Sequence, residues 1–390
     1  MADFDMGLVQ RGARNRRTPY YEATQRHGPQ GFTVYNHMYF PIRFDTFEAE
    51  FEALLNAVTI WDVSVERCLE ISGPDGFRFA QLLTPRDLSK CAVGQAKYVL
   101  ICDSDGGIVN DPVLTRMDEN TFWFALASSD ALLFARGLRN AYPDLDVTIR
   151  EADVAPLQVQ GPRSKELLRD LVGESISDLK YYWWRHAEIR GIPVVVTRTG
   201  WTSEVGYEIY LLDTTLGTEL WETLMEVGAP YGVKPTGPSD IRRIEGGIFN
   251  WGADMTYDNN AYEMGLDRLV DTGLADDASI SIAALRRIRD AGVERRIVGV
   301  ELDGEPFPAL NNVKWPAFAG QAVGAAAEPV GKVTSAIWSP RLRRNIGYCW
   351  VPIELDADGT SLRVETEWGT RGATVVPIPF VDPEKRIPVS

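Results

Sequence analysis

Residues 198–210 read Arg-Thr-Gly-Trp-Thr-Ser-Glu-Val-Gly-Tyr-Glu-Ile-Tyr. Glycines punctuate this stretch, aromatic residues surround its carboxylates Glu204 and Glu208, and the runs Ile192–Val196 and Tyr207–Leu212 are predicted strands. Loops held between strands commonly carry binding groups. A carboxylate among aromatic rings suits a flat heterocycle with amino and ring N–H donors, such as a pterin, although a plain hairpin with solvated glutamates would show the same pattern.

Length and charge limit the classes of protein to consider. The 390 residues suffice for two or three domains with substantial cores. The net charge of −15 argues against nucleic acid and anionic membranes as partners, because both call for clustered positive charge. No apolar run reaches the roughly 18–20 residues that span a bilayer, and the N-terminus has no apolar signal core. We therefore expect a cytoplasmic protein.

Two units of the same kind occur in the first half of the chain. In each, a predicted strand leads through a Gly-Pro pair, Gly73-Pro74 or Gly161-Pro162, into a predicted helix. The recurrence suggests an internal duplication, although Gly-Pro turns are common.

The chain beyond Arg296 is rich in short β-type runs separated by Gly and Pro turns. This composition predicts a separate antiparallel barrel or sandwich. Its predicted strands are Ile297–Leu302, Gln321–Val323, Gly331–Ile337, Asn345–Val351, Ser361–Glu365 and Arg371–Ile378.

An aspartate stands out in the segment Tyr98–Leu114, which is predicted to form a hairpin with a tight turn at Asp105-Gly106-Gly107. The strand Phe122–Leu126 is expected to pair with it. Asp111 falls inside the apolar return strand, where an aspartate is unfavourable. Such a carboxylate is either partnered or has a perturbed pKa, so Asp111 is a candidate functional residue; an exposed edge-strand aspartate is the alternative.

The run Tyr181-Tyr182-Trp183-Trp184 is an aromatic cluster. In strand alternation two of its rings face one way and two the other. One pair is expected to pack in a core, and the other can form part of an aromatic cage for an onium group.

Taken together, these stretches resemble the folate-dependent aminomethyltransferase family, whose founder is the T-protein of the glycine cleavage system. The residues that match its R-T-G-Y-T-G-E-D-G-F/Y-E-I signature, its G-G-I/V-x-D hairpin and its C-terminal T-S-x-x-x-S-P pattern are Arg198-Thr199-Gly200, Thr202, Glu204, Gly206-Tyr207-Glu208-Ile209, Gly106-Gly107-Ile108, Asp111, Thr334-Ser335, Ser339-Pro340 and Asn345-Ile346-Gly347. The likeness covers nearly the whole chain.

Within that family the chain is most similar to the dimethylsulfoniopropionate demethylases. The residues that carry this likeness are Arg17-Thr18-Pro19, Thr33-Val34-Tyr35-Asn36-His37-Met38, Trp61-Asp62-Val63-Ser64 with Glu66-Arg67, Arg86-Asp87-Leu88-Ser89-Lys90 and Asn110-Asp111-Pro112.

The resemblance implies an α+β fold in which three domains form a clover-leaf ring with tetrahydrofolate in the central channel. Residues 1–280 would form two interleaved α+β folate-binding domains. Residues 281–390 would form the C-terminal antiparallel β-barrel or sandwich domain.

The resemblance also implies roles for single residues. Asp111 would lie near N5 of the folate and is the expected catalytic residue, while Glu208 would bind the pterin edge. The further folate contacts implied are Trp201, in place of the T-protein's tyrosine, Tyr182, Ala125 and Arg371, which would meet the folate tail. The residues expected to face the methyl donor are Tyr210, Trp184, Tyr35 and Asn250. No metal site is expected.

Three departures from the family patterns concern the donor rather than the fold. Demethylases tend to have Ser-Lys-Gln-Gly where this chain has Thr202-Ser203-Glu204-Val205, which is closer to the T-protein. The arginine of the T-protein's G-A-R-D is Ser239 here, and a folate-contacting asparagine is replaced by Ala127. The fold expectation survives these changes, and the identity of the methyl donor stays open.

The function expected is that of a tetrahydrofolate-dependent demethylase, which moves a methyl group from a small onium compound resembling dimethylsulfoniopropionate to N5 of tetrahydrofolate. An onium methyl is already activated, so the protein mainly aligns donor and acceptor and excludes water. The chain would act on this small-molecule donor alone or as a homodimer.

Three other functions compete with this one. A glycine-cleavage-type aminomethyltransferase would need a lipoyl carrier protein, and the lost arginine argues against it. A folate-dependent demethylase of an N-methyl or O-methyl substrate stays open. A folate-binding module without catalysis would not need Asp111.

Overall fold

The computed structural model describes residues 12–320 and 328–390. The helices in this part are α1 (Tyr21–Arg26), α2 (Phe47–Asn56), α3 (Gly76–Leu83), α4 (Ala131–Arg139), α5 (Ser164–Val172), α6 (Gly217–Gly228), α7 (Asp240–Glu245), α8 (Ile282–Ala291) and α9 (Arg386–Val389). None of these helices is long and apolar enough to cross a membrane.

The strands in the same part of the chain are β1 (Gly31–Tyr35), β2 (Met38–Arg43), β3 (Val58–Asp62), β4 (Cys68–Ser72), β5 (Ala96–Tyr98), β6 (Ile101–Cys102), β7 (Ile108–Asn110), β8 (Val113–Arg116), β9 (Phe122–Ala125), β10 (Thr148–Glu151), β11 (Ala155–Gln160), β12 (Trp184–Ile189), β13 (Ile192–Thr197), β14 (Gly206–Leu211), β15 (Val233–Pro235), β16 (Arg295–Leu302), β17 (Trp315–Ala319), β18 (Gly331–Ser339), β19 (Arg344–Pro352), β20 (Ser361–Thr366) and β21 (Gly369–Val376). The α+β expectation is confirmed.

A six-stranded sheet of order β12-β13-β14-β11-β3-β15 is buried on both faces. Its apolar face, which includes Leu157 and Ile209, packs against helices α1, α5 and α6. Side chains alternate along a strand, so the partners of this face point to the other side. That other face carries polar side chains such as Glu208 and Gln158, which are also buried. A buried polar face has to be met by polar groups from elsewhere in the molecule.

A five-stranded sheet of order β10-β4-β9-β8-β5 forms the second lobe and packs against α3 and α4. The two sheets meet through aromatic side chains: the rings of Trp123 on β9 and Tyr210 on β14 lie 6.0 Å apart between centroids. The polar face of the first sheet therefore looks toward the second lobe.

Both strand–Gly-Pro–helix units are present, one in each sheet. Gly73 follows β4 with φ of 115°, and Gly161 follows β11 with φ of 119°. A Cβ at Gly73 would lie 2.7 Å from the Asp146 carbonyl oxygen, and one at Gly161 would lie 2.6 Å from the Ala57 carbonyl oxygen. Only glycine suits a positive φ beside such a close backbone, so the same requirement recurs in both units.

The hairpin predicted around Asp105 is present, with an interruption in both arms. Next to the turn β6 pairs with β7, and farther from it β5 pairs with β8, where Tyr98 lies opposite Val113. The expectation that Phe122–Leu126 pairs with the hairpin is confirmed for the return arm, because β9 pairs with β8; it also pairs with β4. The return strand is interrupted at Asp111-Pro112, since proline has no N–H for a ladder.

The C-terminal domain is a closed antiparallel barrel of order β16-β19-β18-β17-β20-β21, which confirms the predicted architecture. The predicted strand Gln321–Val323 lies outside the described residues. The strand β17, which precedes it, was not predicted because Pro316 in its Trp-Pro-Ala-Phe-Ala sequence argues against a strand. The division at residue 280 stays a prediction.

Candidate functional site

A cross-strand row on the polar face carries the central carboxylate. In register, Thr197, Glu208, Gln158 and Trp61 lie side by side on β13, β14, β11 and β3. Gln158 Nε2 donates to Glu208 Oε1 at 2.9 Å, and the Thr199 hydroxyl donates to Glu208 Oε2. Burial raises the pKa of Glu208. A carboxylate offers about four acceptor sites, so Glu208 can still receive donors from a ligand.

Gln160 fixes the loop that precedes Glu208. Its Nε2 donates to the carbonyl oxygens of Thr199 and Tyr207, each at 3.1 Å, and its Oε1 accepts from Thr202 Oγ1 at 2.7 Å. A Cβ at Gly206 would lie 2.4 Å from Gln160 Cδ, and one at Gly200 would come just as close. The glycines of the stretch are therefore explained by the amide that packs between them.

The other carboxylate of the stretch has a different role. Glu204 Oε1 accepts from Arg242 Nε at 2.6 Å and from Arg341 at 3.2 Å. Two guanidinium groups offset its charge inside the protein, so Glu204 is part of a structural ion-pair network.

Asp111 lies where the chain leaves β7 and enters the five-stranded sheet. The Tyr98 hydroxyl donates to Asp111 Oδ2 at 3.0 Å. Burial raises the pKa of Asp111 to about 7, which outweighs the lowering by the Tyr98 hydrogen bond. At neutral pH this carboxylate is poised between accepting and releasing a proton, as a group that handles a proton in catalysis has to be.

Glu66 is a further candidate for the site, and it was not among the predicted residues. It lies in the turn that connects β3 of one sheet to β4 of the other. Burial, followed by the nearby charges of Glu208 and Asp111, raises the pKa of Glu66 well above its usual value. The three carboxylates therefore share one interior. The sequence offered only a weak signal, a charged pair, Glu66-Arg67, between two buried strands.

Three predicted tyrosines line the same interior. Burial raises the pKa of each phenol, and the carboxylates raise it further: Glu66 and Asp111 act on Tyr35, Glu208 acts on Tyr182, and both Glu208 and Glu66 act on Tyr210. Tyr182 has a φ of 61° and precedes β12, so strand alternation does not extend over the whole aromatic cluster.

Two predicted tryptophans, Trp201 and Trp184, pack against aromatic side chains of the same region. The ring of Trp201 lies 5.9 Å from that of Trp61, between centroids, with the Arg243 guanidinium over it. Trp184 packs near Tyr210, and its Nε1 donates to the Arg116 carbonyl oxygen at 3.0 Å.

The remaining three predicted site residues lie at the end of a sheet strand, after a helix and on a barrel strand. Ala125 ends β9, where it pairs with Cys68 and Val113. Asn250 follows α7, and its N–H donates to Asp254 Oδ2 at 2.9 Å. Arg371 lies on barrel strand β21 over the ring of Phe307. The ligand contacts of all these residues stay predictions.

Glu66, Asp111 and Glu208 form no direct ion pair in the described part of the chain. Within residues 12–320 and 328–390, no Lys, Arg or His nitrogen lies within 4.0 Å of a carboxylate oxygen of Glu66, Asp111 or Glu208. Buried carboxyl groups without an ion-pair partner are either protonated or stabilised by a ligand that is positively charged or donates hydrogen bonds.

Two family models match the chain. The GCVT N-terminal domain matches residues 20–273, and the glycine cleavage T-protein C-terminal barrel domain matches residues 295–382.

Relatives align over nearly the whole chain. A dimethylsulfoniopropionate demethylase, DmdA, from Ruegeria pomeroyi is 37% identical over 93% of this chain and 96% of its own length. An aminomethyltransferase from Bacillus cereus is 30% identical over 94% of this chain and 98% of its own length.

One solved structure shares the fold. The glycine cleavage system aminomethyltransferase T from Bartonella henselae has a TM-score of 0.81 and 22% identity, covering 94% of this chain and 98% of that one. The clover-leaf expectation is thereby confirmed.

Proposed function

This chain belongs to the glycine cleavage T-protein family, and we propose that it transfers a methyl group from a small onium compound to N5 of tetrahydrofolate. Family membership makes it a tetrahydrofolate-dependent enzyme that moves a methyl or aminomethyl group. The identity of the donor is the step that we add.

The residues present fit a reduced pterin. A pterin presents amino and ring N–H donors along one edge, and Glu208 is a buried carboxylate with free acceptor capacity, held by Gln158 and Thr199. Trp201 and Tyr182 supply aromatic surface next to it. We propose that Glu208, Trp201 and Tyr182 hold the pterin and that Asp111 faces N5.

Bound tetrahydrofolate would supply N5 as the methyl acceptor. As the N5–CH3 bond forms, the S–CH3 or N–CH3 bond of the donor breaks, and the donor leaves as a neutral thioether or amine. Asp111, oriented by the Tyr98 hydroxyl, would accept the proton that N5 has to lose, because its pKa of about 7 allows it to take up a proton at neutral pH. The buried aromatic residues would exclude water and place the donor in line. Tyr210 and Tyr35 would surround the positively charged centre of the donor.

One observation carries the choice of an onium donor. The interior collects three carboxylates and several phenol rings, and among the described residues no Lys, Arg or His nitrogen lies within 4.0 Å of those carboxylate oxygens. A sulfonium or quaternary ammonium group supplies the missing charge, whereas an uncharged methoxy compound does not.

A donor panel tests the proposal. Purified protein is incubated with tetrahydrofolate and dimethylsulfoniopropionate, glycine betaine or vanillate, and 5-methyltetrahydrofolate is measured. We expect product from an onium compound, and none with the Asp111→Asn variant. Product from vanillate alone, or activity only with an aminomethylated lipoyl carrier protein, would replace the proposal with one of the competing functions.

A further inference from the structure

We propose that Glu66 is the counter-charge that selects a positively charged methyl donor over a neutral one of the same shape. This assignment rests on the proposed function, since it names a specificity-determining residue of the same site.

Two asparagine side chains hold together the backbone segments around Glu66 and Asp111. Asn36 Nδ2 donates to the carbonyl oxygens of Val65 at 3.0 Å and Leu126 at 3.1 Å. Asn110 Nδ2 donates to the Ala127 carbonyl oxygen at 3.0 Å, and Asn110 Oδ1 accepts from the Ala127 N–H at 3.1 Å. Four segments from both lobes thus converge through buried amides.

Each chemically active residue in this region adjoins one of the bonded positions. Tyr35 precedes Asn36, Glu66 follows Val65 and Asp111 follows Asn110. The hydrogen bonds therefore fix the backbone from which all three side chains start. This agrees with the charge of Asp111 raising the pKa of Glu66, and with both carboxylates raising the pKa of Tyr35.

The three carboxylates differ in what already binds them. Asp111 accepts from Tyr98, and Glu208 accepts from Gln158 and Thr199. No side-chain or backbone donor in the described ranges bonds the Glu66 carboxylate, and its oxygens are not sealed from solvent-sized groups. Glu66 is thus the carboxyl group with the fewest partners in the protein. Its raised pKa means that the unliganded protein favours the protonated form, and a bound cation favours the charged form.

The neighbouring cation is committed elsewhere. Arg67 donates through Nε and Nη2 to Glu151 Oε2, at 2.9 and 2.6 Å. Glu151 also pairs with Arg16 at 2.8 Å. Arg67 therefore cannot pair with Glu66 without breaking its hydrogen bonds to Glu151.

An onium methyl donor matches the Glu66 carboxylate in particular. A sulfonium or quaternary ammonium centre has no N–H or O–H to donate, so a carboxylate attracts it by charge alone, with aromatic faces as the other partners. The pterin edge instead offers hydrogen-bond donors and suits Glu208. Each carboxylate then has a different role: Glu208 accepts hydrogen bonds from the pterin, Asp111 accepts a proton, and Glu66 attracts the positive charge of the donor.

The experiment compares a charged ligand with a neutral isostere in the absence of folate. Dimethylsulfoniopropionate and 4-methylpentanoate differ at one position, sulfonium against C–H. Their affinities are measured by calorimetry for wild type, Glu66→Gln and Glu66→Asp. The control is Glu70→Gln, which changes a buried carboxylate bonded to Trp123 and Arg150.

We expect Glu66→Gln to weaken dimethylsulfoniopropionate binding about tenfold or more and to leave 4-methylpentanoate binding unchanged, because loss of a close charge partner costs upward of 1.4 kcal/mol. Glu66→Asp should recover part of the preference, and Glu70→Gln should match wild type.

Equal weakening of both ligands by Glu66→Gln, or no weakening of either, would overturn the role of Glu66 while demethylation by wild type left the proposed function standing. If wild type neither binds nor demethylates any onium compound, the proposed function itself fails, and the role of Glu66 with it.

Discussion

At the residue scale, Asp111 links the chemistry of the site to its stability. Its pKa is raised to about 7 by burial, so between about pH 4 and pH 7 the folded protein binds more protons than the unfolded chain. This group therefore makes the protein less stable as pH rises through that window. We expect Asp111→Asn to have a higher melting temperature than wild type at pH 8, with the difference shrinking toward pH 4. Melting curves at pH 4, 6 and 8 test this, and an advantage that grows toward pH 4 would contradict it.

Glu208 and Glu204 should separate ligand binding from stability. Glu208→Gln should weaken tetrahydrofolate binding about tenfold, because charged acceptors make stronger hydrogen bonds, and it should not lower the melting temperature. Glu204→Gln leaves the buried Arg242 without its close charge partner and should cost about 3 kcal/mol of unfolding free energy. Calorimetric titration and urea unfolding measure the two effects. A stability loss in Glu208→Gln equal to that in Glu204→Gln would assign both residues to the scaffold.

The sequence alone singled out Asp111 and Glu208 as candidates but could not show which carboxylates bind a ligand and which form structural ion pairs. Glu204 and Glu208 share one stretch, and Arg242 and Arg341, which offset the charge of Glu204, come from distant segments. Glu66 needed the three-dimensional structure for the same reason, since Asn36 and its partners hold it from other parts of the chain.

At the element scale, the loop before β14 depends on the fit of Gln160 between two glycines. Gly206→Ala would place a Cβ 2.4 Å from Gln160 Cδ and should cost about 1–3 kcal/mol through overpacking, with weaker tetrahydrofolate binding as Glu208 shifts. Gly137→Ala in α4 is the matched control, because a Cβ there meets nothing within 4 Å; it should stabilise by about 0.5–1 kcal/mol. Urea unfolding of both variants measures these changes in unfolding free energy. Similar stabilities for the two would mean that the loop adapts without cost.

Element types were more predictable than their partners. The helix α3 and the strand β4 follow from local periodicity, and so do most barrel strands. The pairing of β9 with β8 was also predicted, whereas its pairing with β4 was not, because β4 comes from a distant segment of the chain. The break at Asp111-Pro112 was not predicted, because Asp111 was placed inside a continuous return strand, although Pro112 lacks the N–H that a ladder needs.

At the scale of the whole molecule, a buried ion-pair network joins the barrel to the rest. Asp254 Oδ2 lies 2.8 Å from Arg243 Nη1, and Asp254 Oδ1 accepts from Thr334 Oγ1 at 2.7 Å and from Ser335 Oγ at 2.6 Å. Thr334 and Ser335 form the start of the C-terminal family pattern. The sequence showed this pattern as a match to the family but did not show its structural role. The pattern serves to dock barrel strand β18 against α7 and the residues that follow it.

Asp254→Asn should therefore loosen the barrel from the other lobes. It removes one of the two carboxylates that lie 2.8 Å from the buried Arg243, the other being Asp240, and one broken buried pair costs about 3–5 kcal/mol. We expect a lower melting temperature and a calorimetric transition that splits in two, as the barrel and the remaining lobes unfold separately. Glu301→Gln is the control, since Glu301 pairs with Arg344 at the barrel surface, where an ion pair contributes at most about 1 kcal/mol. A single unshifted transition in Asp254→Asn would show that apolar packing alone, for example of Ile337 and Ile346 against Ile244, holds the barrel in place.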